Sequence, residues 1–299
     1  MIDPKITTFI WAAKLNSFTK AAQMLNLTQP AVTQHIKQLE GHYKVNLFNK
    51  VGRQIHLTEE GELLFDYAKE IEANSLFIER TLHNKSALNK RYNVGTTLTI
   101  GEFVLPHILG QYKIQHENID VIVHVYNTDE NLKRLTSGEL DLSIVEGLFD
   151  KSRFKYKKMR DDELVLVASP ASTFARKGEV SLEDVAYSGK LILRENGSGT
   201  RRVFENKMTD IGLSLADLKV YMEVGSIGAI KSLVQANLGY TVVSREAVKK
   251  EVREGLLVVV PIQGIKIMRE FNFIFMDMSQ NSFIQEFVEY IMNFGENRQ

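Results

Sequence analysis

Gln29, Thr33, Gln34 and Lys37 carry the most legible chemistry in this chain. Amides and a hydroxyl can hydrogen-bond base edges in a DNA groove, and an ammonium can neutralise a phosphate. They alternate with Ala31, Val32, His35, Ile36 and Leu39 at helical period, so one face can pack while the other stays free to read. Thr28 stands where an N-cap belongs, and Pro30 falls in the first turn, where a missing N–H costs little. Upstream, Phe18, Ala21, Ala22 and Leu25 predict a shorter amphipathic helix, and Asn26-Leu27 leaves room only for a turn. A second helix placed this way can enter the major groove.

The elements that follow fit the same use. Val45-Asn46-Leu47-Phe48 reads as a short buried run, Asn49 to Arg53 as a basic turn, and Gln54-Ile55-His56-Leu57 as a half-buried strand. A hairpin tipped with Lys50 and Arg53 suits a wing on the DNA backbone or in the minor groove. Charge is asymmetric: Met1–Thr58 holds seven cations against Asp3 and Glu40, while the whole chain is at +0. One basic module on an acidic body predicts one polyanion-binding end. Glu59, Glu60 and Glu62 then open a long helix at its positive end. Leu64, Ala68, Ile71, Ser75, Ile78 and Leu82 recur along it at steps of four and three, the spacing of a helix–helix seam between two chains.

From Arg91 onward apolar strands alternate with helical patterns, which predicts an α/β body with a mostly parallel sheet in each of two lobes. Strands are expected at Tyr92–Gly95, Val121–Val125, Leu142–Val145, Leu164–Ala168, Leu191–Leu193, Tyr221–Val224, Tyr240–Val243 and Phe271–Met276, with a closing helix near Phe283 to Phe294. Ligands of such sheets bind beyond the strands' carboxyl ends. That rule nominates Thr96, Thr97 and Thr99 after the first strand, Thr128 after the second, Ser198, Gly199 and Thr200 in the second lobe, and Ser226 after Val224. Hydroxyls and helix-start N–H groups facing one cleft would hold a small anion or metabolite.

Catalysis finds little support. Gly197-Ser198-Gly199-Thr200 lacks the first glycine and the Lys-Ser/Thr end of a phosphate-binding P-loop, no serine sits in a nucleophile elbow, and the seven histidines are scattered. Asp161-Asp162 reads as a solvated crossover between lobes. The absence of cysteine excludes disulfides and thiol chemistry. No cofactor and no metal site are expected. With no signal sequence and no membrane-length apolar run, the cytoplasm is the expected compartment.

Ser17-Phe18-Thr19, Ala21-Ala22, Thr28 to Thr33, Ile36, Leu39-Glu40, Leu47-Phe48 and Leu57 to Gly61 together resemble LysR-type transcriptional regulators. The likeness continues through Leu140-Asp141-Leu142, Arg194 to Arg201 and Val234 to Tyr240, so it spans nearly the whole chain; Asn237 stands where many members carry glycine. The resemblance implies a winged helix-turn-helix over residues 1–58 and a dimerising linker helix over 59–90. It further implies a two-lobed effector domain akin to periplasmic binding proteins over 91–299, lobe I about 91–161 and 267–299, lobe II about 162–266. It also implies promoter DNA, a small effector, self-association to a dimer or tetramer, and RNA polymerase as partners. Leu98 to Pro106 further resembles a branch with regulators of sulfur assimilation and carbon fixation. Two alternatives stay open: a ligand-binding receptor without a transcriptional role, and an effector-independent DNA-binding regulator.

Overall fold

A computed structural model describes residues 2–51, 54–86, 90–276 and 282–296. The chain divides into two compact units, the first holding Met1–Ala87 with Thr136–Glu139 and the second Leu88–Leu135 with Leu140–Gln299.

In the first unit α1 is Pro4–Leu15, α2 Phe18–Leu25 and α3 Gln29–Tyr43; β1 is Phe48–Val51, β2 Gln54–Leu57 and α4 Glu59–Ser86. The caps act where the sequence places them. Ser17 Oγ accepts from Lys20 N and Thr28 Oγ1 from Ala31 N, while Asn16, Asn26 and Lys44 end the three helices in the left-handed region. Phe9, Ile10, Ala21, Val32, Ile36, Leu39, Leu47 and Ile55 form the core. His35 joins it: Thr8 Oγ1 donates to Pro4 O, so the 2.8 Å contact between that hydroxyl and His35 Nδ1 requires a proton on Nδ1.

Two expectations change here. Asn49 to Val51, expected in the wing turn, are strand, because β1 runs on to Val51 and Val51 pairs with Gln54; Gly52 and Arg53 lie outside the described residues. The first turns of α4 belong to this unit's core, where Ala68 is buried and Leu64 and Phe65 pack against it. Gly61 makes the approach possible. A Cβ there would meet Leu47 O at 2.2 Å, a backbone atom that cannot swing aside. Gly61→Ala is expected to cost about 1–3 kcal/mol through overpacking. Urea unfolding of the full chain would read this, and an unchanged midpoint would refute it.

The second unit contains β3 (Lys90–Thr96), α5 (Leu98–Phe103), α6 (Leu105–Gln115), β4 (Ile119–Val125), α7 (Thr128–Thr136) and β5 (Leu142–Glu146). It continues through β6 (Lys155–Ala168), α8 (Thr173–Lys177), α9 (Leu182–Tyr187), β7 (Leu191–Leu193), α10 (Gly199–Asp210), β8 (Val220–Glu223) and α11 (Ile227–Gln235). Last come β9 (Thr241–Ser244), α12 (Arg245–Arg253), β10 (Val258–Val260), β11 (Ile267–Phe275) and α13 (Ser282–Glu296). Pro106 lies in the first turn of α6, where its missing N–H costs little, and Val104 separates α5 from α6. Asn237 takes φ 58, as the departure from glycine requires.

The parallel expectation holds for β3, β4 and β5 and for the separate pair β7-β8, and is corrected elsewhere. β3 pairs in parallel with β4 and β5, but β11 runs antiparallel to β5, and β6 antiparallel to β9, β10 and β11. One seven-stranded sheet, in the order β10-β6-β11-β5-β3-β4 with β9 added on β6, therefore runs through both lobes. β6 and β11, 14 and 9 residues long, pair along their length and cross from one lobe to the other. In β6 Leu164, Leu166 and Ala168 enter one core, and Val165 and Val167 enter another. Both faces are covered, which explains the unbroken apolar run. Lobe I packs Val94, Leu142, Ile144, Phe271 and Phe273 under Phe283 and Phe287 of α13.

Candidate functional site

Helix α3 separates its two jobs cleanly. Val32, Ile36 and Leu39 are buried, while Gln29, Pro30, Gln34 and Lys37 are exposed and Thr33 half-buried. Gln29, Thr33 and Lys37 follow at steps of four, one stripe along the outer face. Gln29 Nε2 donates to Thr33 Oγ1 at 2.9 Å, and Thr33 Oγ1 donates to Gln29 O at 3.0 Å, so each side chain is pre-oriented. Thr28 caps the helix and Glu40 accepts from Leu47 N at 2.9 Å, tying the helix to the start of the wing. Lys50 is the third residue of β1, opposite Ile55, and Arg53 lies outside the described residues.

The nominated effector residues divide. Thr96, Thr97, Thr99, Thr128, Ser198, Gly199 and Thr200 are buried, whereas Ser226 is exposed and its hydroxyl caps α11 at Ala229 N. Around the join of the two lobes the hydroxyls already have partners within the chain. Thr97 Oγ1 donates to the Glu146 carboxylate, and Thr128 Oγ1 donates to Glu146 O at 3.0 Å. Thr200 Oγ1 accepts from Arg269 Nη1 at 2.9 Å. The lobes meet at backbone: a Cβ on Gly199 would lie 2.4 Å from Glu146 O, and one on Gly147 2.9 Å from Gly199 Cα. Arg202 of α10 adds an ion pair to Asp129 of α7 at 2.8 Å.

The centre of this join is an ionic cluster that sequence reasoning missed. Arg269 and Asp162 are register partners on β11 and β6, with Nε 2.7 Å from Oδ2. Asp162 also accepts from Ser244 Oγ at 2.8 Å, and Arg269 Nη1 lies 3.7 Å from Glu146 Oε1. Asp162 is therefore buried inside a strand, and reading Asp161-Asp162 as a solvated crossover is wrong for its second member. The mistake came from the charged run before Leu164, which hid that β6 begins at Lys155. Two signals were available: Glu146 ends an apolar strand at its carboxyl end, and Arg269 shares parity with Ile267 and Phe271. Burial drives the Glu146 carboxyl above the usual carboxylate range, against the pull of Arg269. A cavity of about 590 Å³ reaches the cluster, walled in part by Gly147, Val203, Lys207, Ile267 and Arg269.

Residues 5–62 match the family described as bacterial regulatory helix-turn-helix protein, lysR family, and residues 85–295 match the LysR substrate binding domain. The chain belongs to the LysR family of transcriptional regulators. It is 35% identical to the HTH-type transcriptional regulator MJ0300 of Methanocaldococcus jannaschii, over 90% of this chain and 91% of that one. Identity to the HTH-type transcriptional activator CmpR of Synechocystis is 30%, covering 96% and 94%. Among solved structures, the regulatory domain of CcmR from Synechocystis PCC6803, in complex with 2-PG, superposes with a TM-score of 0.62. That match has 26% identity and covers 70% of this chain and 98% of that one. As a family member the chain is a transcriptional regulator with a helix-turn-helix and an effector-binding domain, in a family of regulators rather than enzymes. Among the described residues no helix is long and apolar enough to cross a membrane, and no cluster of His, Asp and Glu could hold a metal.

Proposed function

We propose that this LysR-family chain works in the cytoplasm as a homo-oligomer that binds an interrupted dyad in promoter DNA and answers to a small anion held between its lobes. RNA polymerase would be its further partner at the promoter. The observation that carries the DNA half is the outer stripe of exposed Gln29 and Lys37 with half-buried Thr33 between them, on a helix whose other face is buried. Gln29, Thr33 and Gln34 reach base edges in this reading, Lys37 a phosphate, and Lys50 and Arg53 the backbone or minor groove. The effector half is supported by the gathering of Thr97 and Thr128 on Glu146 and of Thr200 on Arg269, and by the cavity that Arg269 shares with Lys207, Lys266, Asp210 and Glu270. Similarity to the CcmR domain solved with 2-PG points the same way.

Selection of binding sites from random DNA, followed by titration of the best site at several salt concentrations, tests the DNA half. Affinity should fall steeply with salt, and Lys37→Ala should flatten the log–log slope by about 0.9, one released counterion. Gln29→Ala should instead relax preference at one position, by about 1–3 kcal/mol. Failure to enrich any site, or a Gln29 variant that weakens all sequences equally, would refute the assignment.

A further inference from the structure

We propose that the anion enters the interlobe site together with a proton held by Glu146, so that this residue sets the ionic state in which the site accepts its effector. The inference rests on the anion-cleft reading above and adds a linkage to it. The hydroxyl expected to receive an effector oxygen, that of Thr97, already donates to the Glu146 carboxylate. An internal carboxylate thus occupies part of the place meant for an external one.

The charges facing Glu146 make the conflict concrete. Arg269 approaches it from β11, but the closer ion pair of that arginine goes to Asp162 of β6, at 2.7 Å against 3.7 Å. Arg194, after β7, adds a weaker attraction and is itself held by both oxygens of Glu195 at 2.8 and 2.9 Å. One arginine therefore serves two buried carboxylates. A third negative group would add repulsion in a medium that screens charge poorly, unless one carboxylate is neutral.

The site nonetheless holds a donor that awaits an acceptor. Arg269 Nη2 is buried and makes no hydrogen bond among the described residues, and Arg269 lines the cavity. An unmet buried donor is costly, so an arriving oxyanion gains it. Protonated Glu146 would add a second donor. The proton comes from solvent and stays on the carboxyl, and no bond of the ligand changes. Burial favours that neutral state, and Glu146 is held above its ordinary range.

The test is calorimetric titration of the full chain with 2-PG, inorganic phosphate and sulfate from about pH 5 to pH 9, for wild type and Glu146→Gln. Gln keeps the shape and a donor but cannot ionise. Wild-type affinity should fall relative to the variant as pH rises, approaching about tenfold per pH unit once the carboxyl ionises. The variant cancels the titration of the ligand itself. Parallel pH curves would overturn the proton linkage while leaving the anion cleft intact. No saturable binding of any of the three anions by either protein would overturn the cleft reading and the linkage together. Should the variant fold poorly, wild type alone suffices. Heats in two buffers of different ionisation enthalpy should reveal up to one proton taken up per anion above the carboxyl's range, and zero uptake throughout would overturn the proposal.

Discussion

Replacing Arg269 by methionine is expected to lower the unfolding free energy by about 3–5 kcal/mol, the cost of breaking a buried pair by removing one partner. Methionine keeps the length and fills the space, so the loss is electrostatic rather than a cavity. Asp162 and Glu146 would both remain in the join of the lobes, each at most 5% exposed, without their shared cation. The pH dependence has a definite sign. Burial already holds the folded carboxyl of Glu146 above its unfolded value, about 4.3. Its contribution to stability is full below that value and is lost as pH rises through the folded one. Arg269 is the largest influence opposing the shift, so its removal raises the folded value further and deepens the loss. The gap between variant and wild type should widen from about pH 5 to about pH 8 in urea unfolding followed by circular dichroism. Adding Glu146→Gln to the variant should recover part of the loss, since contacting residues couple by about 0.5–3 kcal/mol. A methionine variant as stable as wild type at both pH values would show that the cluster contributes nothing to the join.

The DNA-binding half was legible because its determinants are local. Ser17, Thr28, Asn26 and Pro30 set the ends of two helices within a few residues, and the period of Val32, Ile36 and Leu39 separates a packed from a free face. The wing's strand β1 was drawn too short, because Asn49 and Lys50 look like turn residues, yet they pair with His56 and Ile55. In the second unit most strands could be located, yet their directions could not. Parallel and antiparallel pairing leave similar apolar runs, and β6 and β11 are antiparallel partners more than a hundred residues apart.

The same distance explains the site. Thr97, Thr128 and Thr200 could be nominated from strand ends alone, and they do gather at one place. What joins them could not be read that way. Asp162 and Arg269 meet only because β6 and β11 pair in one register, and a shift of a single residue would turn both to opposite faces. Ser226 differs from them: its Gly-Ser turn has the same local pattern, but its hydroxyl caps α11 at the surface and does not join the gathered threonines. Local chemistry thus proposes candidates, and long-range register selects among them.

Replacing Ile71 by glutamate is expected to dissociate the proposed homo-oligomer and weaken binding to a two-half-site operator by about 10²–10⁴-fold, the avidity that linked sites confer. The seam expected from sequence ran through Leu64, Ala68, Ile71, Ser75, Ile78 and Leu82, but Leu64 and Ala68 are spent on the core of their own unit. What remains for a second copy is a stripe that keeps Ile71 and Ile78 of that seam and replaces its first members with Leu63 and Tyr67. Leu63, Tyr67 and Ile71 follow at steps of four and Ile78 one heptad later, with 61%, 59%, 50% and 56% of their surfaces exposed. Burying each large apolar side chain contributes about 1.5–3 kcal/mol, enough for such a stripe to hold two copies of α4 together. A carboxylate at Ile71 would have to be buried at the centre of that seam or keep it open. Affinity for a single half-site should stay unchanged, because Ile71 lies far along the chain from Gln29, Thr33 and Lys37 on a different helix. Light scattering and titrations on one and two half-sites separate the outcomes. A variant that remains oligomeric and keeps its two-site affinity would place the self-association surface elsewhere than on α4.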